Sequence, residues 1–422
     1  MKKIIYLLAA LACSGSAWAA DTTAVIDSGD TAWILVSTLL VLMMTIPGLA
    51  LFYGGMVRKK NVLATMGHSF SAAAMVTVVW VIVGYSLAFG DGGLWLGDMS
   101  KLLLEGITTD TLSGTIPEVL FAIFQMTFAI IAVAIISGSV ADRIKFSAWM
   151  VFMALWVLIV YAPVTHWVWA PTGWLFAEGA LDFAGGTVVH INSGVAGLVL
   201  AYMLGKRIGY GRESMAPHNL VLSVIGASLI WIGWFGFNGG SALAANGSAA
   251  YAIMTTQVAA AAATLSWLFF ERILHGKASI LGAVSGAVAG LVVITPAAGF
   301  VDIKGALIMG LIGGAVCLWG TNGLKRLLKA DDSLDAFGLH AVGGIVGAVL
   351  TAVFASEMIM GRQIDLIPQL VTQIEGVVAV MIYSAIMTFI IAKVIDITIG
   401  LRVGDEEERM GLDLSQHGER VE

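Results

Sequence analysis

Long apolar stretches fill most of the chain and are separated by short polar or glycine-containing breaks. A helix needs ~20 apolar residues to cross the hydrocarbon core of a bilayer, and eleven stretches have that length with few or no charged residues. They lie near residues 31–53, 62–89, 117–141, 147–169, 185–205, 217–238, 250–270, 279–300, 305–324, 338–356 and 371–399. Within the uncharged residues 214–270, the breaks expected to separate two helices are Asn238-Gly239-Gly240 and Ala245-Asn246-Gly247. The pattern predicts an all-α polytopic membrane protein with eleven transmembrane helices, the last of them long.

Composition supports a membrane protein. Of the 422 residues, 59% are hydrophobic and only 12% are charged, which is not typical of a water-soluble protein. Fifty glycines against seven prolines indicate closely packed membrane helices, because small residues let helix backbones approach each other. The net charge of −6 is spread over loops and a short acidic tail. Membrane lipid is therefore the expected surrounding, and nothing indicates nucleic acid as a partner.

The first nineteen residues have the pattern of a secretory signal peptide. Lys2 and Lys3 form a basic start, an apolar stretch runs to Cys13, and Ala17-Trp18-Ala19 is a small-residue cleavage site. A lipoprotein anchored through Cys13 is an alternative that fits less well. Cleavage after residue 19 leaves Cys317 as the only cysteine, which we interpret as a packing residue. The predicted organisation is a signal peptide at 1–19, a membrane domain at 20–399 and a tail at 400–422.

Lys and Arg residues collect in the loops of one side. If the mature N-terminus lies outside, the inner loops carry thirteen Lys and Arg residues, whereas the outer loops carry only Lys101, Lys304 and Arg362. Cytoplasmic loops retain positive charge. The distribution therefore predicts eleven helices with the N-terminus out and the C-terminus in, and the bacterial inner membrane is the expected location.

A short internal repeat links the fifth and tenth predicted helices. His190-x-x-x-Gly194-x-x-Gly197 recurs as His340-x-x-x-Gly344-x-x-Gly347, five helices later. An odd number of helices per repeat means that the two halves are inverted relative to each other, and such repeats place a transport path at their interface. The prediction is two inverted five-helix repeats followed by a final long helix.

The two repeated histidines are the first candidates for chemistry. A histidine within a membrane helix must face protein, water or a pathway, because hydrocarbon offers no hydrogen-bond partner. His190 and His340 could meet at the middle of the bilayer and share a proton. Two histidines are too few for a stable metal site, and no metal or other cofactor is expected. Asp182, eight residues before His190, is expected to cap the start of the fifth helix through backbone N–H groups.

Aromatic residues are concentrated near the predicted outer ends of two helices. Trp167, Trp169 and Trp174 follow the fourth helix, and Trp234-Phe235-Gly236-Phe237 lies near the end of the sixth. Interfacial tryptophans usually anchor a helix at the level of the lipid headgroups. A ring that faces a vestibule could instead bind a small cation through its π-face, and Ser241 could add a hydroxyl acceptor.

Several longer motifs resemble the ammonium transporter family (Amt/MEP/Rh). The segment Asp182-Phe-Ala-Gly-Gly-Thr-Val-Val-His190-Ile-Asn-Ser-Gly-Val-Ala-Gly-Leu, which continues to Gly205-Lys206-Arg207, is similar to the family signature around its fifth helix. Similar segments are Ala141-Asp-Arg-Ile-Lys-Phe-Ser-Ala, Trp231-Ile-Gly-Trp-Phe-Gly-Phe-Asn-Gly-Gly-Ser241, Ile294-Thr-Pro-Ala-Ala-Gly and Asp335-Ala-Phe-Gly-Leu-His340. The resemblance spans essentially the whole mature chain.

The resemblance implies a set of site residues. An outer site that binds ammonium would consist of Trp169, Phe128, Phe237 and Ser241, and Phe128 and Phe237 would also close the pore below it. Phe124 lies one helical turn from Phe128 and is the alternative for that position. His190 and His340 would line the pore, and Asp182, Trp234 and Thr295 would support the site structurally. The resemblance also implies a homotrimer, and contact of the tail with a PII-type regulatory protein.

The implied activity is selective transport of ammonium or ammonia, which is not an enzymatic activity. Carrying a bare charge through hydrocarbon is far more costly than carrying a neutral amine. The expected mechanism is recruitment of ammonium, loss of its proton and passage of ammonia, with electrogenic movement of the proton. An ammonium sensor is the main alternative, although such sensors usually carry a soluble signalling domain and about twenty residues follow Gly400. A membrane enzyme and a sodium-coupled carrier lack supporting motifs.

Overall fold

The structure is a computed structural model that describes residues 25–421. The predicted signal peptide lies outside the described residues. Ten helices are long and apolar enough to cross a membrane, and one shorter apolar helix, Ile280–Ile294, lies among them. In chain order we number the eleven helices α1 to α11: Ser28–Met56, Lys59–Phe89, Glu118–Val140, Phe146–Ala177, Gly186–Leu204, Leu220–Gly240, Gly247–His275, Ile280–Ile294, Ile303–Leu328, Phe337–Phe354 and Leu366–Thr398.

The helices correspond to the predicted apolar stretches, and the fold is that of a multi-pass membrane protein. The break predicted within residues 214–270 falls between Gly240 and Gly247. The helix α8 has only 15 residues, and at 1.5 Å per residue it is roughly 22 Å long, shorter than the ~30 Å hydrocarbon core. Eleven membrane spans therefore remain a prediction, as do the inverted topology and the orientation.

Polar side chains begin several of the helices. The side chains of Asn219, Asn246, Ser279 and Asp302 accept hydrogen bonds from the first free backbone N–H groups of α6, α7, α8 and α9 respectively. These caps satisfy donors that have no partner within the helix. The start of each helix from α6 to α9 is therefore specified by the local sequence.

The helix α3 is the centre of the fold. All of its residues except Val119 and Ile123 are buried, and it packs against α1, α2 and α5. At the start of α3, the short β-hairpin of β1 (Leu112–Ser113) and β2 (Ile116–Pro117) leads into the helix.

Six helices contain wider, π-helical turns. They are at Met44–Leu49, Trp80–Gly84, Val157–Tyr161, Gly186–Ile191, Gly320–Leu324 and Phe337–Ala341. Such turns are rare in proteins overall, but those that occur are often found at functional sites. The turns that begin α5 and α10 contain the two repeated histidines, so the internal repeat of the sequence is also a local repeat of the structure.

Glycines allow α5 and α10 to approach each other closely. A Cβ atom on Gly344 would lie 2.7 Å from the backbone oxygen of Gly186, and one on Gly194 would lie 2.7 Å from the Cβ of Ala341. Neither glycine has room for a methyl group, because these neighbours belong to backbone or to a short rigid side chain. The two π-helical turns are thus held in direct contact by the repeated glycines.

The tail packs against the end of the helix bundle. Two short helices, α12 (Asp405–Met410) and α13 (Leu412–His417), follow α11. Lys60 Nζ donates to the backbone oxygens of Glu408 (2.9 Å) and Arg409 (2.6 Å), and the backbone N of Ala64 donates to Asp413 (2.8 Å). The buried Glu408 carboxylate accepts from the backbone N of Ile208 at 2.6 Å. We call this end of the molecule the tail end.

Beneath the tail lies a buried network of charges. Arg207 donates to both carboxylate oxygens of Asp331, with Nη2 2.8 Å from Oδ1, and also lies 3.4 Å from Asp142. Arg143 is fully buried and donates to the backbone oxygen of Asp331 at 2.6 Å. Burial by itself raises the pKa of the Asp331 carboxyl, but the hydrogen bonds and charge of Arg207 outweigh burial and hold that pKa below its ordinary value. The network ties three loops together at the tail end.

Replacing Asp331 by Asn should lower the stability of the folded protein by about 3 kcal/mol, because the buried Arg207 loses its paired carboxylate. The measurement is the unfolding temperature of detergent-purified protein by intrinsic fluorescence, with the exposed Asp110→Asn as control. A carboxyl whose pKa is lower in the folded state contributes stability above its unfolded pKa and loses it as the pH falls. The difference between wild type and Asp331→Asn should therefore shrink below about pH 4; equal unfolding temperatures at pH 7 would contradict the expectation.

Candidate functional site

One face of α3 lines two successive cavities and ends beside a third. Residues spaced three or four apart lie on the same helix face, and Gln125, Phe128, Ile131 and Ile135 follow this spacing. Gln125 and Phe128 line a first cavity, and Ile131 and Ile135 line a second. Gly138, one turn further, accepts a hydrogen bond from Leu334 N (3.0 Å) beside a third. The three cavities thus follow one another from the start of α3 towards the tail end.

The first cavity has a volume of about 130 Å³, and we call it the Trp169 cavity. Its lining consists mainly of aromatic and apolar side chains with two polar ones: Phe89, Phe121, Gln125, Phe128, Trp169, Phe183, Ser241 and Leu243. Ser241 Oγ donates to the backbone oxygen of Phe237 at 2.8 Å, which leaves its lone pairs free to accept. Trp169 Nε1 donates to the backbone oxygen of Asp182 at 2.9 Å, which fixes the indole ring. The cavity can offer π-faces and a hydroxyl acceptor to a small cation.

Two stacked phenyl rings separate the first cavity from the second. The ring centroids of Phe128 and Phe237 are 4.2 Å apart, with planes inclined by 26°. Phe128 also meets Trp169 edge-on at 5.7 Å. Phe124 packs edge-on behind Phe128 at 5.1 Å and does not line the Trp169 cavity. Of the two candidates on α3, Phe128 is therefore the one that stacks on Phe237.

The second cavity, which we call the histidine cavity, measures about 10 Å³, close to the space that one water molecule occupies. His190 and His340 are its polar wall, and the remaining lining is apolar or aromatic: Met44, Leu49, Phe52, Ile131, Ile135, Ile230, Trp234, Phe237 and Val288. The Nδ1 atoms of the two imidazoles are 3.3 Å apart, and the rings are stacked with centroids 5.3 Å apart. His190 is 1% and His340 is 5% exposed. The structure brings together the two histidines that the repeat singled out.

Trp234 and Thr295 hold His190 in place from behind. The Trp234 ring stacks on the His190 ring at 5.3 Å with planes inclined by 20°. Trp234 Nε1 donates to Thr295 Oγ1 at 2.9 Å, and Thr295 Oγ1 donates to the backbone oxygen of Leu291 at 2.7 Å. Trp234 Nε1 and Thr295 Oγ1 both have partners, so the indole ring is held in place and can fix the orientation of the imidazole stacked on it.

Asp182 caps the π-helical turn that contains His190. Its Oδ1 accepts from the backbone N atoms of Gly185 (3.0 Å) and Gly186 (2.6 Å), and its Oδ2 accepts from those of Thr187 (2.9 Å) and Val188 (3.0 Å). Four donors that the start of a helix leaves free are thereby satisfied by one carboxylate. The carboxylate therefore orders the turn that contains His190, while the backbone oxygen of Asp182 holds Trp169.

The corresponding turn of α10 has its own aspartate. Asp332 Oδ2 accepts from the backbone N of Phe337 at 2.8 Å, at the start of the turn that contains His340. The motif that contains His340 begins at Asp335, but the Asp335 carboxylate pairs with Lys325 Nζ at 2.8 Å and does not cap the turn. Both histidine-bearing turns therefore begin at a buried aspartate.

The third cavity lies at the tail end and measures about 190 Å³; we call it the Asp335 cavity. Its wall includes Leu339, which directly precedes His340, together with two carboxylates, an imidazole and several hydroxyl groups, among them Glu271, Asp335, His275, Ser279, Ser285 and Thr321. It is much more polar than the Trp169 cavity. Among residues 25–421, no three His, Cys, Asp or Glu side chains are placed to share a metal ion.

Sequence reasoning missed part of the lining. Phe89, Phe121, Gln125 and Phe183 were not singled out, and they come from α2, α3 and the loop before α5. Gln125 and Phe121 lie one and two turns, respectively, before Phe128 on the same face of α3, so this spacing could have identified them. Phe89 and Phe183 carry no comparable signal.

Comparisons with known proteins give a consistent result. The family described as "Ammonium Transporter Family" matches residues 32–422. The "Ammonium transporter" of Bacillus subtilis (strain 168) is 50% identical over 400 residues, covering 93% of this chain and 98% of that protein. The protein of the same name in Aquifex aeolicus (strain VF5) is 49% identical, covering 96% of each chain. The crystal structure of Candida albicans Mep2 has a TM-score of 0.84 at 36% identity, covering 90% of this chain and 88% of that one. A solved structure named "Sensor Amt Protein" has a TM-score of 0.87 at 29% identity, covering 92% of this chain and 98% of that one.

Proposed function

Because the chain belongs to the ammonium transporter family, we propose that it moves ammonium across a membrane along the three cavities. Ammonium would be recruited in the Trp169 cavity and deprotonated, and ammonia would pass the Phe128–Phe237 pair and the histidine cavity. The observation that carries this proposal is the pair of buried imidazoles, 3.3 Å apart, in an otherwise apolar cavity the size of one small molecule.

Recruitment relies on aromatic faces and a hydroxyl acceptor. A desolvated cation over an indole or phenyl face gains ~0.5–2 kcal/mol, and Trp169 is fixed by its hydrogen bond to Asp182. Ser241 Oγ, whose hydrogen points to Phe237, presents lone pairs to a donor. Ammonium carries a positive charge, which the aromatic faces attract, and four N–H donors, one of which can bind the Ser241 hydroxyl.

Loss of a proton provides the selectivity. A charge at the centre of a bilayer costs from about 2.5 to more than 10 kcal/mol, and the walls of the histidine cavity are mostly apolar. Ammonium can give up its proton, which would travel separately along the histidine pair, and enter as neutral ammonia. Potassium carries the same single positive charge but has no proton to lose, so the histidine cavity excludes it.

The histidine pair suits a molecule that both donates and accepts hydrogen bonds. An Nδ1···Nδ1 hydrogen bond needs one hydrogen, so one ring donates from Nδ1 and the other accepts there. In two neutral imidazoles, the donating ring then has a free lone pair on Nε2 and the accepting ring carries hydrogen on Nε2. The pair therefore offers one acceptor and one donor, which ammonia can satisfy with an N–H group and its lone pair. A proton could be passed along the same pair, which is why we propose electrogenic transport.

Beyond the histidines, we propose that the path continues into the Asp335 cavity, whose wall includes Leu339 next to His340. Its carboxylates and hydroxyl groups stabilise a charged species that the histidine cavity does not. Ammonia that arrives there can take up a proton and leave as ammonium. An aromatic cavity with a hydroxyl acceptor at one end, a polar cavity at the other and the histidine cavity between them fit a path on which the substrate is charged at both ends and neutral in the middle.

The sequence supports a proposal for the cellular setting. We propose eleven spans with the Trp169 end outside and the tail inside the bacterial inner membrane, a cleaved signal peptide at 1–19 and a homotrimeric assembly. The tail at 400–422 is proposed as the contact for a PII-type protein. Transport is favoured over sensing, because the curated relatives that cover nearly all of both chains are named transporters.

The experiment that tests the proposal is current measurement on purified protein in liposomes, adsorbed to a solid-supported membrane. A pulse of ammonium should evoke a positive current that saturates with concentration, and protein-free liposomes should give none. The absence of current from folded protein would contradict electrogenic transport. In that case, an ammonium-induced change of internal pH beyond that of protein-free liposomes would indicate electroneutral conduction of ammonia.

A further inference from the structure

The side chain of Gln373, on the final helix α11, binds both hydrogen-bonding groups of the Leu181 backbone. Gln373 Oε1 accepts from Leu181 N at 2.7 Å, and Gln373 Nε2 donates to Leu181 O at 2.8 Å. Nε2 also donates to the backbone oxygen of Ala348 in α10 at 3.0 Å. Gln373 is 4% and Leu181 is 5% exposed. One buried side chain therefore ties the segment before α5 to α10.

The orientation of the Gln373 amide follows from its partners. Leu181 N can only donate, and the two backbone oxygens of Leu181 and Ala348 can only accept. Half a turn of the amide would place a donor against the donor and an acceptor against both acceptors. Gln369 Nε2 also donates to Oε1, at 3.3 Å, which favours the same orientation. The amide is thus fixed in one position by neighbours on three elements.

Leu181 needs these bonds because it belongs to no helix. It lies between the end of α4 at Ala177 and the start of α5 at Gly186. Buried backbone N–H and C=O groups nearly always have a partner, and outside a helix the partner must come from elsewhere in the fold. For Leu181 that partner is Gln373 alone among residues 25–421. Removing the amide leaves two buried backbone groups without partners, so the segment must shift to regain them.

A shift of Leu181 reaches Trp169 through the next residue. The backbone oxygen of Asp182, which directly follows Leu181, accepts from Trp169 Nε1 at 2.9 Å. The Trp169 ring is part of the wall of the Trp169 cavity and meets Phe128 edge-on at 5.7 Å. Gln373 itself does not line that cavity. Any effect of Gln373 on a cation in the cavity is therefore indirect.

We propose that Gln373 is a positioning residue for transport, which holds the Leu181–Asp182 backbone so that Trp169 faces a cation in the Trp169 cavity. This inference rests on the proposed function. It also gives a role to α11, the helix that lies outside the two predicted five-helix repeats. Through Gln373, α11 sets the position of the segment that leads into the first histidine-bearing turn relative to α10.

The test is a double-mutant cycle on the ammonium concentration that gives half-maximal current. Gln373→Met keeps the length of the side chain and removes the amide, and this concentration should rise about fivefold, because the indole no longer faces the cation correctly. In a Trp169→Phe background the link to Asp182 is already broken, so Gln373→Met should raise it less than twofold further. The exposed Gln363→Met is the control and should match wild type.

The maximal current per folded protein separates positioning from a general structural role. Positioning changes this current less than twofold in Gln373→Met, whereas loss of folded protein lowers it and leaves the half-saturating concentration unchanged. Gln373→Glu, which keeps the acceptor for Leu181 N but cannot donate to both backbone oxygens when ionised, replaces Gln373→Met in the cycle if the latter does not fold.

An unchanged half-saturating concentration in the folded variant, or an equal rise in both backgrounds, overturns the role of Gln373. Failure of both variants to fold overturns it as well, because Gln373 would then support the fold as a whole. In each of these cases wild-type current still supports the proposed function. Absence of wild-type current contradicts the proposed function itself, so the two failures are distinguishable.

Discussion

Replacing both pore histidines by alanine, His190→Ala with His340→Ala, should either reduce the ammonium current at least about tenfold or produce a potassium current above that of protein-free liposomes. The neutral substrate loses both its donor and its acceptor in the histidine cavity, and a shared proton loses its carriers. The two truncations also enlarge a space that now measures about 10 Å³, so water can enter it and a hydrated cation becomes less costly. A lost ammonium current would reflect the missing hydrogen-bonding groups, and a gained potassium current would reflect the enlarged, hydrated space.

The measurement compares equal pulses of ammonium and potassium on liposomes that contain equal amounts of folded protein. His218→Ala is the matched control, because this histidine lies in the loop before α6 and lines none of the three cavities. An unchanged, ammonium-selective current in the double variant would show that the histidine pair neither carries the proton nor excludes potassium.

The second large effect is expected for Gly344→Ala. The new methyl group would lie 2.7 Å from the backbone oxygen of Gly186, a separation that side-chain rotation cannot relieve. Overpacking of this kind costs about 1–3 kcal/mol or more, and relief requires α5 and α10 to move apart. Since His190 and His340 are in contact across this crossing, a shift of about 1 Å should reduce ammonium current by roughly tenfold or more.

The matched control for Gly344→Ala is Gly67→Ala. Gly67 lies in α2, and a Cβ atom there meets nothing within 4 Å. The same substitution should leave current unchanged and raise helix stability slightly, because alanine favours a helix over glycine by ~1 kcal/mol. Equal currents and equal unfolding temperatures for the two alanine variants would contradict a role for close contact between the two repeats.

The helices could be predicted well from the sequence, because a bilayer requires long apolar segments. All eleven predicted stretches coincide with helices, even within residues 214–270, where only Asn and Gly mark the break. The helix α8 shows the limit of the method: the apolar stretch runs to residue 300, but Thr295-Pro296 ends the helix and the chain continues in turns. Hydropathy depends on composition alone and does not indicate that a proline ends the helix.

The candidate site was predictable where the sequence carried a repeat or a family motif. The repeat pointed to His190 and His340, and the structure places their rings side by side. The π-helical form of their two turns was not predictable, since a single added residue per turn leaves no mark in the hydrophobic pattern. The choice between Phe124 and Phe128 also needed coordinates, because both lie on neighbouring turns of α3 and only their stacking partners differ.

The docking of the tail was not predicted. The acidic run from Asp405 to Glu408 has the composition of a solvated segment. In the structure Glu408 is 1% exposed, because Arg402 and the backbone N of Ile208 neutralise and bind its carboxylate. Burial of a charge depends on partners far away in the sequence, which no local pattern reveals.

The central claim is that the substrate must lose a proton to pass, and the most direct test is the response of the wild-type protein to potassium. Proteoliposomes on a solid-supported membrane receive pulses of ammonium and then of potassium at the same and at a hundredfold higher concentration, with protein-free liposomes as baseline. The account predicts a saturable current with ammonium and none above baseline with potassium at either concentration. A potassium current comparable to that of ammonium would contradict it, because an ion that has no proton to lose would then cross the histidine cavity.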